Sequence, residues 1–531
     1  MGHKVIYPMH NELSKTKIIY HLNEIEKRLP VSEWMVDGIY VWPLLRIALA
    51  FKLGDYFGAL ALDESYKPKK NRNKYLSFAV QEIIPIGKYI TSSINDYSKN
   101  ADLGSHKDIV FLSDGISYSF INNSWYENFC DPLIERFRLM DISSLLLSPL
   151  HKYFIPRKTE SVFIQPYIGI LLFKAKILSR FNKSLKIHLP YFNDMADYFI
   201  NQNIPIKAIP IKAIIENVLY IRGLVNYYRR LLKKITPYIA FQVSYYSPVG
   251  MAFNIACREL GIHSIDIQHG VAGSVHFSYG HWLNVPDNGY ELLPSIFWTW
   301  SDDDALAIMA WNNKVKHLHF PLTGGNLLLN KWLLAKDPSI EIYDRQVMEI
   351  KNDHHDLIHV LYTLHGVEKF ADLRHNLMTI RNTAEKLFFW VRLHPCSLDQ
   401  RDMIKRLLME NETYNINMDQ ATDLPIYALL RNLDVHITEC STTVIEAELF
   451  GVPSVVMSDT AKIYYKDQLT SGWAVHISDI EECISAIQYQ NKNKAFLKRR
   501  LTQKNSFNEA FCYVVKLIQE RKEAGGKQAG S

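Results

Sequence analysis

Short continuous apolar runs alternate along this chain with longer stretches of helical period, and polar or glycine-bearing turns separate them. That is the pattern of buried parallel strands joined by crossover helices. Asp108-Ile-Val-Phe-Leu-Ser-Asp-Gly115 predicts the first strand, ending at Asp114, with Gly115 suited to a turn that a side chain resists. Further strands are predicted over Ser184–Leu189, Tyr238–Tyr245, His263 to Gln268, Ser295–Trp300 and Lys316–Phe320. Ser247 and Pro248 open a helix that stops at Gly261, and Ser301-Asp-Asp-Asp304 opens another with acids where the helix dipole favours them.

The pattern restarts after Gly324-Gly325, a pair suited to a hinge or to close backbone approach by a ligand. Ile358–Leu364, Leu387 to Arg392, the run after Asp434, Ser454–Met457 and Trp473–Ile477 predict a second set of strands. Helices are expected over Ala371–Lys386, Ile426–Leu433 and Ile480–Gln488 between and after them. The expected organisation is a helical extension over 1–107, one Rossmann-like domain over 108–325 and a second over 326–505. A helix over 506–522 and a disordered tail over 523–531 complete it. The fold class is α/β, with two doubly wound halves facing a cleft.

Composition narrows the picture. With 531 residues the chain exceeds one comfortable core, and 48% apolar with 22% charged residues describes a globular protein. A net charge of +5 is too small to imply nucleic acid, and no nucleic-acid-binding motif occurs. The basic excess gathers in Tyr227-Tyr-Arg-Arg-Leu-Leu-Lys-Lys234, a tract for peripheral contact with an anionic membrane or simply a solvated helix face. Lys174 and Lys176 interrupt the best apolar stretch, Tyr167–Leu178, which argues against a membrane span. The polar start after Met1 argues against a secretory leader. Six scattered cysteines form no Cys-x-x-Cys pair, which suits the cytosol and argues against zinc.

Candidate chemistry lies at the predicted strand ends. Asp114 follows one strand, and Gln268-His269-Gly270 follows another; an acid or an imidazole there can act as a general base. In the second half, Arg392, His394 and Pro395 follow a strand, and His365 stands after Leu364. Ser441-Thr442-Thr443 opens a helix whose unpaired N–H groups suit a phosphate, with Glu446 one turn on for a ribose hydroxyl. No Gly-x-Gly-x-x-Gly or Walker-type loop occurs, so hydride transfer and ATP hydrolysis lose ground.

Arg392-Leu-His-Pro395 together with Thr438-Glu-Cys-Ser-Thr-Thr-Val-Ile-Glu-Ala-Glu-Leu-Phe-Gly-Val-Pro453 resembles the second domain of inverting GT-B glycosyltransferases of bacterial surface polysaccharides. It is similar in particular to sialyltransferases and related transferases of CMP-activated ulosonic acids. Ser113-Asp114-Gly115 is similar to their acidic motif, although Ser113 stands where the first acid would be. Gln268-His269-Gly270 resembles an element of capsule and lipopolysaccharide transferases more broadly.

The resemblance implies a CMP-sugar donor, a glycan or glycolipid acceptor and no required cofactor or metal. It also implies a cytoplasmic location, with the inner face of the bacterial inner membrane as a docking surface. Asp114 or His269 would be the base, and His394 would offset charge on the departing phosphate. Arg392, Pro395, Ser441, Thr442, Thr443 and Glu446 would hold the nucleotide, while Gln268, Gly270, Gly324, Gly325 and His365 would line the cleft or hinge. The alternatives are a CDP-glycerol-type polyol-phosphate transferase, a UDP- or GDP-sugar transferase, and a non-catalytic, membrane-docked assembly component.

Overall fold

The computed structural model describes residues 9–62, 105–121, 123–149, 155–181, 185–206, 209–270, 272–273, 276–334, 338–364, 375–376, 379, 386–409, 415–459, 461–499 and 507–529. The chain divides into two compact units. One comprises Leu13–Leu327 with Asn505–Ser531, and the other Met1–Glu12 with Leu328–Lys504.

The first unit is built on seven strands: β1 (Ile109–Leu112), β2 (Ser144–Ser148), β3 (Ser161–Phe163), β4 (Ile239–Val243), β5 (His263–Ile267), β6 (Ile296–Thr299) and β7 (Phe320–Thr323). All neighbours are parallel and the spatial order is 3-2-1-4-5-6-7. The central strands are apolar throughout because helices cover both faces of a parallel sheet. One face carries α1 (Gln165–Phe181), α2 (Ile211–Ile235) and α3 (Pro248–Glu259), which pack on one another.

The strand expected over Lys316–Phe320 lies later, over Phe320–Thr323, and contains Pro321. A proline without an N–H is tolerated there because β7 is the edge of the sheet. The predicted strand over Ser184–Leu189 shrinks to Ile187–His188. It belongs to a small separate sheet with Met35–Val36 and Ile39–Tyr40.

Where described, the helical stretch ahead of β1 is built into the first unit. Leu22, Trp34, Trp42 and Leu53 are fully buried in the same core as Val110, Leu145 and Tyr228. Arg46 and Glu26 form a buried ion pair, and Arg46 also donates to the carbonyls of Phe277, Gly280 and His281. A guanidinium removed from water persists only when its donors are met in this way.

The last helix described, α6 (Phe507–Ala529), lies against the other face of this sheet. Phe511 stacks on Phe137 at 4.8 Å, and Val514 and Ile518 join the core around Phe111 and Phe241. Its backbone remains helical through Ala529, whereas a disordered tail was expected from Glu523. Glu, Lys, Gln and Ala are good helix formers and outweigh the cost of two glycines, about 1 kcal/mol each.

The second unit holds β8 (Ile358–Thr363), β9 (Leu387–Arg392), β10 (Ile416–Asn417), β11 (Val435–Thr438), β12 (Ser454–Val456) and β13 (Ala474–His476). They are again all parallel, in the spatial order 10-9-8-11-12-13. Renumbered within the unit this is 3-2-1-4-5-6, the Rossmann order, which the first sheet also follows before adding one strand. The fold class is therefore α/β with two Rossmann-like units. The helix expected over 371–386 lies largely outside the described residues.

Candidate functional site

In a doubly wound sheet the strand order reverses at one place, and the loops leaving the carboxyl ends there diverge to leave a crevice. In the first unit that place lies between β1 and β4, with β5 next to it. Asp114 leaves β1, Ser244 and Tyr246 leave β4, and His269 leaves β5. His269 Nε2 is 3.0 Å from Ser244 Oγ and 2.9 Å from the Tyr246 hydroxyl. Ser244 has φ of 63°, a left-handed conformation that a residue with a side chain adopts at a cost.

Burial lowers the His269 pKa against the opposing pull of Asp114, so the ring is neutral near pH 7. Burial pushes the Tyr246 hydroxyl up to about 12, so it keeps its proton and can donate to Nε2. Nε2 is then the basic nitrogen and Nδ1 carries the hydrogen. Nδ1 is buried without a hydrogen-bond partner among the described residues.

Asp114 has a different setting. Oδ1 accepts from the backbone N–H of Ile116 (2.9 Å) and Ser117 (3.0 Å), and Oδ2 accepts from the Ser117 hydroxyl at 2.5 Å. These bonds make a closed turn, with Gly115 at φ 83°. Both oxygens are engaged, which favours His269 over Asp114 as a base. Close by, Glu127 is wholly buried and caps the helix Cys130–Arg138 through the Phe129 and Cys130 N–H groups. Burial first, and then the Asp114 charge, drive its carboxyl well above the ordinary range. Ser244, Tyr246 and Glu127 are site residues beyond those the sequence patterning marks. Glu127, three residues before a helix-like run, carried a capping signal; the tyrosine carried none.

Several expected contributors turn out to brace the fold. Gln268 donates to the Gly270 carbonyl (2.8 Å) and to Asp304 (3.1 Å), and its oxygen accepts from the Trp300 N–H (2.8 Å). That amide is spent within the protein. Asp304 also accepts from Ser301, whose hydroxyl caps α4 (Asp302–Met309), so the acid run is helix-start chemistry. A side chain at Gly270 would meet nothing within 4 Å, so no close approach demands glycine there.

The Gly324-Gly325 pair has its own cause. A Cβ on Gly324 would fall 2.0 Å from the Trp298 indole, whose Nε1 donates to the Gly325 carbonyl at 3.0 Å. The close approach is to tryptophan, where a hinge or a ligand is the expectation from sequence.

In the second unit the reversal lies between β8 and β11. Thr363 pairs with Arg392 on one side and Thr438 on the other, so the loops holding His394 and Ser441–Thr443 leave one edge on either side of β8. His394 is half-buried, and its carbonyl accepts from the Ser397 N–H at 2.8 Å. Pro395 opens a short 3-10 turn, Pro395–Gln400. His365 lies outside the described residues.

Arg392 points elsewhere than expected. Its Nη1 donates to the carbonyls of Ala421 (2.7 Å) and Leu424 (2.6 Å), and burial draws its pKa down to about 10. Through Nη1 the guanidinium ties down a chain reversal, which spends that nitrogen within the protein. The helix after Ser441, α5 (Thr443–Leu449), is seven residues long, so its end charge is small. Thr442 occupies the N-cap without a side-chain bond. Ser441 Oγ instead accepts from the Thr443 N–H (3.3 Å) and donates to Thr443 Oγ1 (2.9 Å). Glu446 Oε1 accepts from the Tyr427 hydroxyl at 2.6 Å, and burial pushes this carboxyl up to about 7.

Beneath this edge His436, fully buried in β11, bridges Thr363 Oγ1 (2.8 Å) and Ser454 Oγ (3.0 Å), and burial brings its pKa to about 3. It links three strands as a neutral ring, a role that its place inside an apolar run does not signal.

The basic tract Tyr227–Lys234 is likewise partly committed. Tyr228, Leu231 and Leu232 are buried in the first unit, and Tyr227 stacks on Tyr167 at 4.8 Å. What it shows to solvent is charge, in Arg230, Lys233 and Lys234, without the apolar face that a lipid contact needs. No helix among the described residues is long and apolar enough to cross a membrane.

No family model and no curated protein matches this sequence. Among solved structures the chain is similar to the UDP-GlcNAc 2-epimerase of Neisseria meningitidis bound to UDP-GlcNAc, at 12% identity over 78% of this chain and 99% of that one, with a TM-score of 0.46. It is also similar to S. aureus MnaA with UDP, at 11% identity over 78% and 97% of the two chains and a TM-score of 0.46. For MurG of Acinetobacter baumannii the figures are 11% identity, 78% and 99% coverage, and a TM-score of 0.40. The architecture described above rests on this chain's own strand order, and likenesses of this size assign no activity.

Proposed function

We propose that the protein is an inverting, metal-independent glycosyltransferase that takes a sugar from a nucleotide donor and places it on a bacterial surface glycan. An ulosonic acid carried by CMP is the favoured donor. The observation that carries this reading is the recurrence of one layout. Two sheets of Rossmann order each bring a histidine loop, His269 in one and His394 in the other, to the carboxyl edge where such sheets hold ligands. The motif containing His394-Pro395 and Ser441-Thr442-Thr443, which resembles that of CMP-ulosonic acid transferases, favours this donor class.

In this reading His269 Nε2 is the base. An acceptor hydroxyl that displaces the Tyr246 and Ser244 hydroxyls, 2.9 and 3.0 Å from Nε2, stands within proton-transfer distance of its one lone pair. The acceptor oxygen forms a bond to the anomeric carbon while that carbon's bond to the phosphate oxygen breaks, and the electron pair leaves with the nucleotide. In the second unit taken by itself, His394 and the Ser441–Thr443 turn are the groups suited to hydrogen-bond a nucleotide phosphate. Arg392 and Gln268 have no role in it, and Glu446 keeps the ribose contact through its second oxygen.

The test is incubation with CMP-, UDP- and GDP-sugars and CDP-glycerol, reading the nucleotide released, with thermal stabilisation by the free nucleotides alongside. CMP release that depends on a CMP-sugar supports the reading. CMP released from CDP-glycerol points to polyol-phosphate transfer, UDP or GDP release to another sugar donor, and no release or stabilisation at all to a non-catalytic component.

A further inference from the structure

Helix α1 is apolar on more sides than its packing uses. Its inner side meets α2: Tyr167 stacks on Tyr227, and a Cβ on Gly223 would stand 3.2 Å from Leu171, so the two helices approach closely. Its outer side carries Ile170, Phe173, Ile177, Leu178 and Phe181, spaced by three, four, one and three residues, which puts them on one stripe. All are exposed, Ile170 by 56%, Phe173 by 51% and Phe181 by 77%. Scattered exposed apolar residues need no explanation; five along one face of a 17-residue helix, about 25 Å long, do.

Charge identifies what covers the stripe. Lys174 lies within it between Phe181 and Leu178, Lys176 and Arg180 lie along one side of it, and the helix holds no acid. Its neighbour α2 adds Lys212, Arg222, Arg229, Arg230, Lys233 and Lys234 against the single acid Glu216. Arg222 is paired to Asp37 and Arg229 to Glu259, which leaves Lys212, Arg230, Lys233 and Lys234 exposed on that helix. A second copy of the chain is a poor occupant, because an isologous contact would set these cations against their own copies. A protein partner is disfavoured too, since interface cores are depleted of lysine. An apolar stripe set among cations is what an anionic bilayer surface accepts: the apolar side chains enter the headgroup boundary and the long basic side chains reach up to the phosphates.

We propose that α1 docks this protein on an anionic lipid surface, with Ile170, Phe173, Ile177, Leu178 and Phe181 entering the interface and Lys174, Lys176 and Arg180 meeting the headgroups. The contact moves from the Tyr227–Lys234 tract, whose apolar side is buried, to the helix beside it. It is independent of the reaction proposed above, because vesicle binding and nucleotide release are separate readouts.

The test is co-sedimentation of the full chain with vesicles of phosphatidylcholine alone and of phosphatidylcholine mixed with phosphatidylglycerol. Binding is expected only to the mixed vesicles, and it falls as salt rises. The pairs Phe173→Ser/Phe181→Ser and Lys174→Glu/Arg180→Glu each weaken it by about tenfold or more, with near-UV circular dichroism unchanged. If the first pair fails to fold, the charge reversal alone decides. The proposal is overturned if the wild type stays in the supernatant at low salt, or if folded variants sediment like it. A dimer in solution that Phe173→Ser/Phe181→Ser converts to monomer would overturn it as well.

Discussion

The Tyr246 hydroxyl stands 2.9 Å from His269 Nε2, and its retained proton makes that nitrogen an acceptor. A hydrogen bond donated to the neutral ring holds the imidazole in its basic form and adds to the effect of burial. Activity that needs neutral His269 is full above its pKa and falls as pH drops through it. Because that pKa is lowered, the acid limb of kcat/KM lies below the ordinary histidine value of 6.5. Tyr246→Phe removes the donor and is expected to move the limb to higher pH while sparing most of the activity at pH 8.

His269→Ala and Asp114→Asn separate the two candidate bases. Losing a general base costs about 100-fold or more in kcat. That loss is expected for His269→Ala, whereas Asp114→Asn, which keeps an acceptor for the Ile116 and Ser117 N–H groups, is expected to stay within about threefold of the wild type. A steady-state assay of nucleotide release measures both, and a reversed ranking would reinstate Asp114.

Arg392 is expected to behave as a structural residue. Arg392→Ala leaves the Ala421 and Leu424 carbonyls without their donor and should lower unfolding free energy in urea by roughly 2–4 kcal/mol. Nucleotide affinity of the protein that remains folded should change little. A large loss of affinity without loss of stability would place the guanidinium at the ligand.

Acid should act on the second unit through His436. Its folded pKa of about 3 lies below the unfolded value of 6.5, so the unfolded chain binds the extra proton between these limits. Stability from this residue is therefore complete above about pH 6.5 and declines as pH falls toward 3, by about 1.4 kcal/mol per pH unit at most. His436→Leu should flatten that decline in the melting temperature. It should also cost roughly 1–3 kcal/mol at pH 7, because Thr363 and Ser454 lose a partner.

Gly324→Ala tests the indole packing. The added methyl would overlap Trp298, and relief by shifting β6 or β7 should cost about 1–3 kcal/mol, with a red shift of tryptophan emission as the indole gains water. An unchanged melting temperature would show that the glycine answers to something else.

What the chain made legible was its periodicity. Buried parallel strands are continuous apolar runs, and the polar residues that close them fall at strand ends wherever the strands lie, so His269, His394 and Ser441 could be placed at sheet edges without a structure. What escaped were the partners. Whether Gln268 faces a ligand or Asp304, and whether Arg392 meets a phosphate or two carbonyls, depends on residues thirty-odd positions away that no local pattern announces. Pro321 misled because a proline that ends a central strand is harmless at an edge, and edge position is a property of the whole sheet. Trp34, Trp42 and Arg46 looked like part of an appendage for the same reason: the surface they complete is made by residues more than a hundred positions later.

Helix α6 supplies Phe511, Val514 and Ile518 to one face of the first sheet, and Arg521 fastens it there by donating to the Tyr238 carbonyl at 3.0 Å. During synthesis that wall is made only after the whole second unit, so Phe137 and its neighbours wait, wet and adhesive, for this helix. Nascent chains stalled short of Asn505 should therefore recruit chaperones far more avidly than released ones, and a premature stop there would sabotage the half of the protein that had already been made.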